Sequence, residues 1–219
     1  MEIFIFAIIF AVIILIAVYA YYASEQRRKD MVAAAGRLGL SYLQESADIN
    51  DDTYGEIGLF QRGSSREAEH MLGGSKDGCN VDLFDYQYTT GSDKDKTTHN
   101  YSVCVLTVAQ VFKPLFIRTE SFLDRIAGAV GFDDIDFESK EFSNKYYVKS
   151  GDRKFAYDVI HPQMIEFLLG IGAIPEIEIS GRHMAFYFNE IIKPEEYVPL
   201  CEFSLQFYKL IPHYLKSEM

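Results

Sequence analysis

The chain opens on an unbroken apolar run. Ile3 to Tyr22 reads IFIFAIIFAVIILIAVYAYY, twenty residues with no charge, proline or glycine. A hydrocarbon core of ~30 Å is crossed by about 20 apolar residues in a helix. Inside lipid every backbone polar group must bond within its own segment, so the run predicts a helix in spite of its Ile and Val. Tyr19, Tyr21 and Tyr22 stand at its end, where aromatic side chains sit among headgroups, and Arg27, Arg28 and Lys29 follow. Only Met1 and Glu2 precede the run, so the basic collar predicts an N-terminus outside and a cytoplasmic remainder. A cleaved signal peptide needs a basic n-region, a shorter run and a small-residue cleavage site. The acidic Glu2, the length of the run and its tyrosines predict instead an uncleaved anchor over residues 1–26.

The pattern then shortens. Lys29 to Gln44 (KDMVAAAGRLGLSYLQ) predicts a short amphipathic helix, with Ala33, Ala34, Ala35, Leu38 and Leu43 on one face and Asp30 as cap or first-turn acid. Glu45 to Asp52 is acidic and turn-like, and residues 27–54 together read as a linker. From residue 55 to 219 β-branched and aromatic residues dominate. Gly58–Gly63 reads as a short strand or turn, and Ala68–Leu72 as a strand ended by Gly73-Gly74-Ser75. The clearest signal is a hairpin of Asn80–Thr89 and Tyr101–Val111 around a polar loop, Thr90–Asn100. Leu115–Arg118 predicts a further strand, and Thr119–Gly131 a helix capped by Thr119. Lys145–Ser150 with Lys154–Tyr157, and Glu176–Ser180 with His183–Phe188, read as hairpins around Gly151-Asp152 and Gly181-Arg182. Proline opens helices at Pro162 and Pro194, the second running toward Tyr214 with Val198, Cys201, Leu205 and Tyr208 on one stripe. Strands outnumber helices and return by hairpins. The fold class is therefore α+β: one N-terminal transmembrane helix, then a mainly antiparallel sheet packed with a few helices.

Composition narrows the function. The net charge is −11, and Glu2 is the only acid before the apolar run ends at Tyr22, so the remainder is acidic and nucleic acid is an unfavourable partner. Seventeen Phe and fifteen Tyr supply a real core. Cys79, Cys104 and Cys201 are far apart and odd in number, which fits buried thiols in a reducing compartment.

Candidate chemistry is sparse. Asp133-Asp134-Ile135-Asp136-Phe137-Glu138 clusters carboxylates that suit a hard cation, but lacks the glycine and distal glutamate of a calcium loop. In the run from Asp48 to Asp52 those two positions fall on Thr53 and Leu59. None of His70, His99, His161, His183 and His213 stands in H-E-x-x-H. Gly170-Ile171-Gly172 has Pro175 where a dinucleotide fingerprint needs its third glycine. Asp85, inside the apolar strand at Leu83-Phe84-Asp85-Tyr86, needs a partner if buried; it is expected either to form a structural ion pair with Arg62 or Arg66 or to mark a pocket. No catalytic, cofactor-binding or metal residue is assigned.

Leu59-Phe60, Arg62-Gly63, Leu72-Gly73-Gly74, Leu83 to Tyr88, His99, Gly131 to Phe137, Phe142-Ser143, Tyr146 to Val148 and His161-Pro162 together give a likeness over roughly residues 55–190. In these the chain resembles a group of bacterial single-pass membrane-anchored proteins. The resemblance implies a bacterial inner membrane and an anchor-plus-domain layout, and it implies no activity. In architecture alone the layout also resembles the H subunit of bacterial photosynthetic reaction centres. Two functions are expected. One is a non-enzymatic accessory or scaffolding subunit, its Ile3–Tyr22 helix in the bilayer beside a larger membrane complex, photosynthetic or respiratory by that analogy, and its acidic domain over the cytoplasmic face. The other is a membrane-tethered enzyme or ligand-sensing domain with a pocket where Asp85, His99 and Asp133–Glu138 converge.

Overall fold

A computed structural model describes residues 2–49, 52–120 and 135–217. The apolar run and the amphipathic stretch form one helix, α1 (Glu2–Leu38), of 37 residues; at 1.5 Å per residue it is ~55 Å long. It stops at Gly39, whose φ of +71° is a left-handed conformation that costs glycine nothing. Leu40 N–H then donates to Ala35 O at 2.9 Å and Gly39 N–H to Gly36 O at 3.3 Å, the two bonds of a Schellman close. Lys76 Nζ donates to Leu38 O at 2.8 Å, placing a cation on the negative helix end.

Beyond this close the expected helix to Gln44 gives way to a strand, β1 (Ser41–Asp48). Ser41 to Gln44 lies past the glycine, and this segment pairs with the neighbouring strand instead of making a further helical turn. Of the acids in the expected turn, Glu45 and Asp48 are strand residues, Asp48 facing Glu67 in register, while Asp52 is in a turn and Asp51 lies outside the described residues. Among the described residues five more strands follow: β2 (Ser64–Lys76), β3 (Cys79–Thr90), β4 (Thr97–Thr119), β5 (Tyr146–Ser150) and β6 (Glu176–Phe188).

All pairings are antiparallel. The first four strands form a meander. Ser102 to Thr107 of β4 pair with both β3 and β6, and Leu115 pairs with both β5 and β6. β6 therefore lines one edge of β4, while β3 and β5 share the other in succession. The predicted β3–β4 hairpin is present, with a tighter turn, because Thr90 already pairs with Thr97. Leu115–Arg118 is the end of β4 and not a separate strand. β2 continues through Gly73 and Gly74, where an end was expected.

Two hairpins predicted from glycine-containing dipeptides are absent. Gly181 has φ +57° and sits opposite Phe112 at a register shift within a single strand, β6; the extra residues at that shift stand in β4, and β6 passes through the glycine without turning back. After β5 the chain enters α3 (Arg153–Val159), preceded in the chain by α2 (Lys140–Lys145). Asp152 caps α3 by accepting from Phe155 N–H at 2.9 Å, and Phe155, Ala156 and Val159 turn inward at helical spacing. Gly58–Gln61 is a 3-10 turn. Pro162 opens α4 (Pro162–Leu169) as expected. A 3-10 turn at Pro194–Glu196 leads into α5 (Tyr197–Leu210), and α6 (His213–Ser217) follows Pro212. The helix expected at Thr119–Gly131 lies outside the described residues from 121 onward.

The sheet carries a core on each face. On one, Val81, Leu83, Cys104, Leu106 and Phe186 pack with Met31, Ala34, Ala35 and Leu38 of α1 and with Leu205 and Phe207 of α5. On the other, Phe84, Tyr86, Tyr101, Val103 and Tyr187 lie under Ile57, Leu59 and Phe60 of the β1–β2 connection. Period-2 alternation along β3 sends Phe84 and Tyr86 to this second face and Leu83 and Asp85 to the helical one.

Candidate functional site

Asp85 thus faces the helices, where its partner is waiting. Arg27 Nε and Nη2 donate to Asp85 Oδ2 and Oδ1, both at 2.6 Å, a bidentate fork. The cation expected from Arg62 or Arg66 comes instead from α1, 58 residues away in sequence. Arg66 turns to the opposite face and donates to Phe60 O. Tyr197, wholly buried at the start of α5, donates its hydroxyl to Asp85 Oδ1 at 2.5 Å, with Phe84 O at 3.0 Å. Burial, and then the Asp85 carboxylate, hold the Tyr197 phenol well above its usual pKa, so it stays a protonated donor.

Arg27 Nη2 also donates to Ile192 O at 3.1 Å, and Ile192 N–H donates to the buried Ser102 Oγ at 2.9 Å. The network therefore ties five elements together: α1 through Arg27, β3 through Asp85, β4 through Ser102, the β6–α5 connection through Ile192, and α5 through Tyr197. An acid whose two oxygens are occupied by a guanidinium and a phenol is not a general base. It fixes the direction in which α1 leaves the domain.

From Phe4 to Ser24 the described side chains of α1 are exposed, Phe4 at 75 % and Leu15 at 67 %. This part is long and apolar enough to cross a membrane. From Met31 onward the same helix is half buried in the core. The spacing of Arg27, Met31, Ala34 and Leu38, four, three and four residues, puts the arginine on the buried stripe. That stripe was the sequence signal for the Arg27–Asp85 pair.

The expected convergence of Asp85, His99 and Asp133–Glu138 does not occur. His99 begins β4, where its ring stacks on Tyr88 at 4.8 Å and its Nε2 lies 2.8 Å from Thr90 Oγ1. Ile135 N–H donates to Val148 O in β5, which pairs with the far end of β4. Asp136 and Glu138 border a different hollow, beside Tyr157 and His161, and Asp133 and Asp134 lie outside the described residues. His161 Nε2 is taken up by Leu210 O at 2.9 Å. His70 is buried against Tyr42, and His183 meets the edge of Tyr54. Among the described residues no three His, Cys, Asp or Glu side chains gather as metal ligands. Cys79, Cys104 and Cys201 are buried free thiols, as expected, and burial pushes Cys104 well above the usual thiol range.

The arrangement defines a class: an α+β domain clamped to the lower half of a long apolar helix. No protein-family model matches the chain, and no curated protein does. Among solved structures it is similar to the crystal structure of the mycobacterial trehalose monomycolate transport factor A, TtfA. The TM-score is 0.56 at 10 % sequence identity, over 85 % of this chain and 96 % of that one. At that identity the likeness is one of fold.

Proposed function

We propose that this protein is a non-enzymatic accessory subunit of a membrane transport complex. The apolar half of α1 lies in the inner membrane of a bacterium and docks sideways on a larger membrane protein, and the acidic domain covers that protein's cytoplasmic face. The observation that carries the reading is the continuity of α1, held by the Arg27–Asp85–Tyr197 network, since a tether for a freely moving domain needs no fixed angle. Arg27, Arg28 and Lys29 directly after the apolar run favour the cytoplasmic side for the domain. A transport complex is preferred to the photosynthetic or respiratory one suggested by layout, because TtfA, the fold neighbour, is by name a transport factor. An enzyme or sensor is disfavoured, because Asp85 is saturated by Arg27 and Tyr197.

The test is purification of the full chain from its native membranes in mild detergent. A stoichiometric integral membrane protein should travel with it through size exclusion. A clean monomer, with no membrane protein cross-linked to the anchor beforehand, would overturn the proposal.

A further inference from the structure

Between α4, α5 and the end of β6 lies an open groove of about 640 Å³. Its floor is apolar. Phe203 and Phe167 stack at 5.3 Å, both half-buried, and Phe188, Ile171 and Leu200 extend the surface. Its rim is acidic, with Glu190, Glu196 and Glu202 exposed. Glu196 holds the neighbouring backbone, accepting from Lys193 N–H at 2.7 Å, while Glu190 and Glu202 face solvent. Ile192 lines the groove and its carbonyl accepts from Arg27. Arg27 lies five residues beyond Tyr22, so this edge sits only ~8 Å along the helix axis from the end of the apolar run. That distance is comparable to the depth of a headgroup layer.

We infer that this groove receives a basic amphipathic segment next to a membrane span of the partner protein. The inference rests on the accessory-subunit reading and names the chemistry of the surface that reading requires. Three features select the occupant. A stacked aromatic pair in a concave surface is the kind of anchor point that apolar side chains at i, i+3, i+4 and i+7 fill. The rim carboxylates attract lysine and arginine, and cytoplasmic flanks of membrane spans carry an excess of both. The same carboxylates repel the phosphate of an anionic lipid, which argues against an acyl chain drawn from the bilayer. The edge beside α1 puts the groove at the depth where such flanks emerge.

The test uses the full chain in its native membranes with a photoreactive amino acid in place of Gln206, which is exposed on the groove rim. A second version carries it in place of Phe10 on the apolar helix. From the groove the expected adduct is a Lys/Arg-rich peptide flanking a membrane span of the protein that the Phe10 probe also captures. Combining Glu190→Lys with Glu202→Lys should lower the groove yield roughly tenfold by replacing attraction with like-charge repulsion. The Phe10 yield and the thermal transition of the domain should not move. A groove adduct only with lipid, with a soluble protein or with an acidic segment overturns the inference, as does a yield unchanged by the charge reversal. A partner found from Phe10 and none from the groove sinks the groove alone. No partner from either position sinks the accessory-subunit reading with it.

Discussion

The two halves of α1 are the same helix in different surroundings. From Phe4 to Tyr22 it is apolar all round, and among the described residues no other element covers it. From Arg27 to Leu38 it is apolar on one stripe, and that stripe is core: Met31 and Ala34 are fully buried, Ala35 and Leu38 nearly so. A helix hydrophobic on every side needs a surrounding of lipid or protein; an amphipathic one needs a single wall, which the sheet supplies. The junction between the apolar run and the domain, expected as the start of a linker, is continuous helix through Leu38. Register is carried from one half into the other without a break.

The sharpest way to break this comparison is to place one charge in each half. Ala34→Asp buries a carboxylate without a partner against the sheet, at a cost of about 3–5 kcal/mol. At 2–4 °C per kcal/mol for a domain of this size, its thermal transition should fall by roughly 10 °C. Ile13→Arg should leave that transition unchanged and weaken membrane insertion by about 2.5–3.5 kcal/mol. Melting of the detergent-solubilised chain and carbonate extraction of membranes read the two effects separately. Equal losses of domain stability from both changes would show that the halves are not distinct.

A smaller effect is expected at the joint. Arg27→Met or Asp85→Leu alone leaves one charge buried and unpaired, and each should cost ~3 kcal/mol, the low end for a buried pair because the Arg27 side chain keeps 21 % exposure. Together the two changes should recover to within ~1 kcal/mol of the native chain, since an apolar pair of similar size replaces the ion pair at little net cost. Additive losses in the double-mutant cycle would remove Asp85 as the partner of Arg27.

That joint was half legible in the sequence. Asp85 amid Leu83, Phe84 and Tyr86 demanded a cation, and one is there. The expected partners were Arg62 and Arg66, whereas the partner stands 58 residues upstream among residues read as a basic collar. The β3–β4 hairpin was legible because alternation and β-branching agree over ten residues on each side. β1 was not, because the acids of ESAD mimic a turn and only the pairing to β2 makes them strand. Arg153–Val159 was misread for the converse reason: Lys154 to Tyr157 has strand composition, but Asp152 caps its first turn and Phe155 and Val159 need one face. In β6 a glycine dipeptide leaves the strand unbroken, because both flanks pair with one long neighbour, β4. The groove over Phe167 and Phe203 was illegible, because it joins two helices and a strand end that lie apart along the chain.

The finest probe of the lower half of α1 is Gly36. It lies on the exposed side of the helix, and a Cβ built there meets nothing within 4 Å. Gly36→Ala therefore removes no contact and creates no clash. It acts on helix propensity and on the freedom of the unfolded chain, worth about 0.4–1 kcal/mol in favour of the helix. If residues 27–38 fold with the sheet, that gain should appear in the melting of the domain as a rise of roughly 1–4 °C. If they were a linker, the helix could gain order without the domain gaining stability, and the transition would stay where it is. A rise in the full chain that also survives Ile13→Arg would assign Gly36 to the domain and leave the membrane half out of its folding unit.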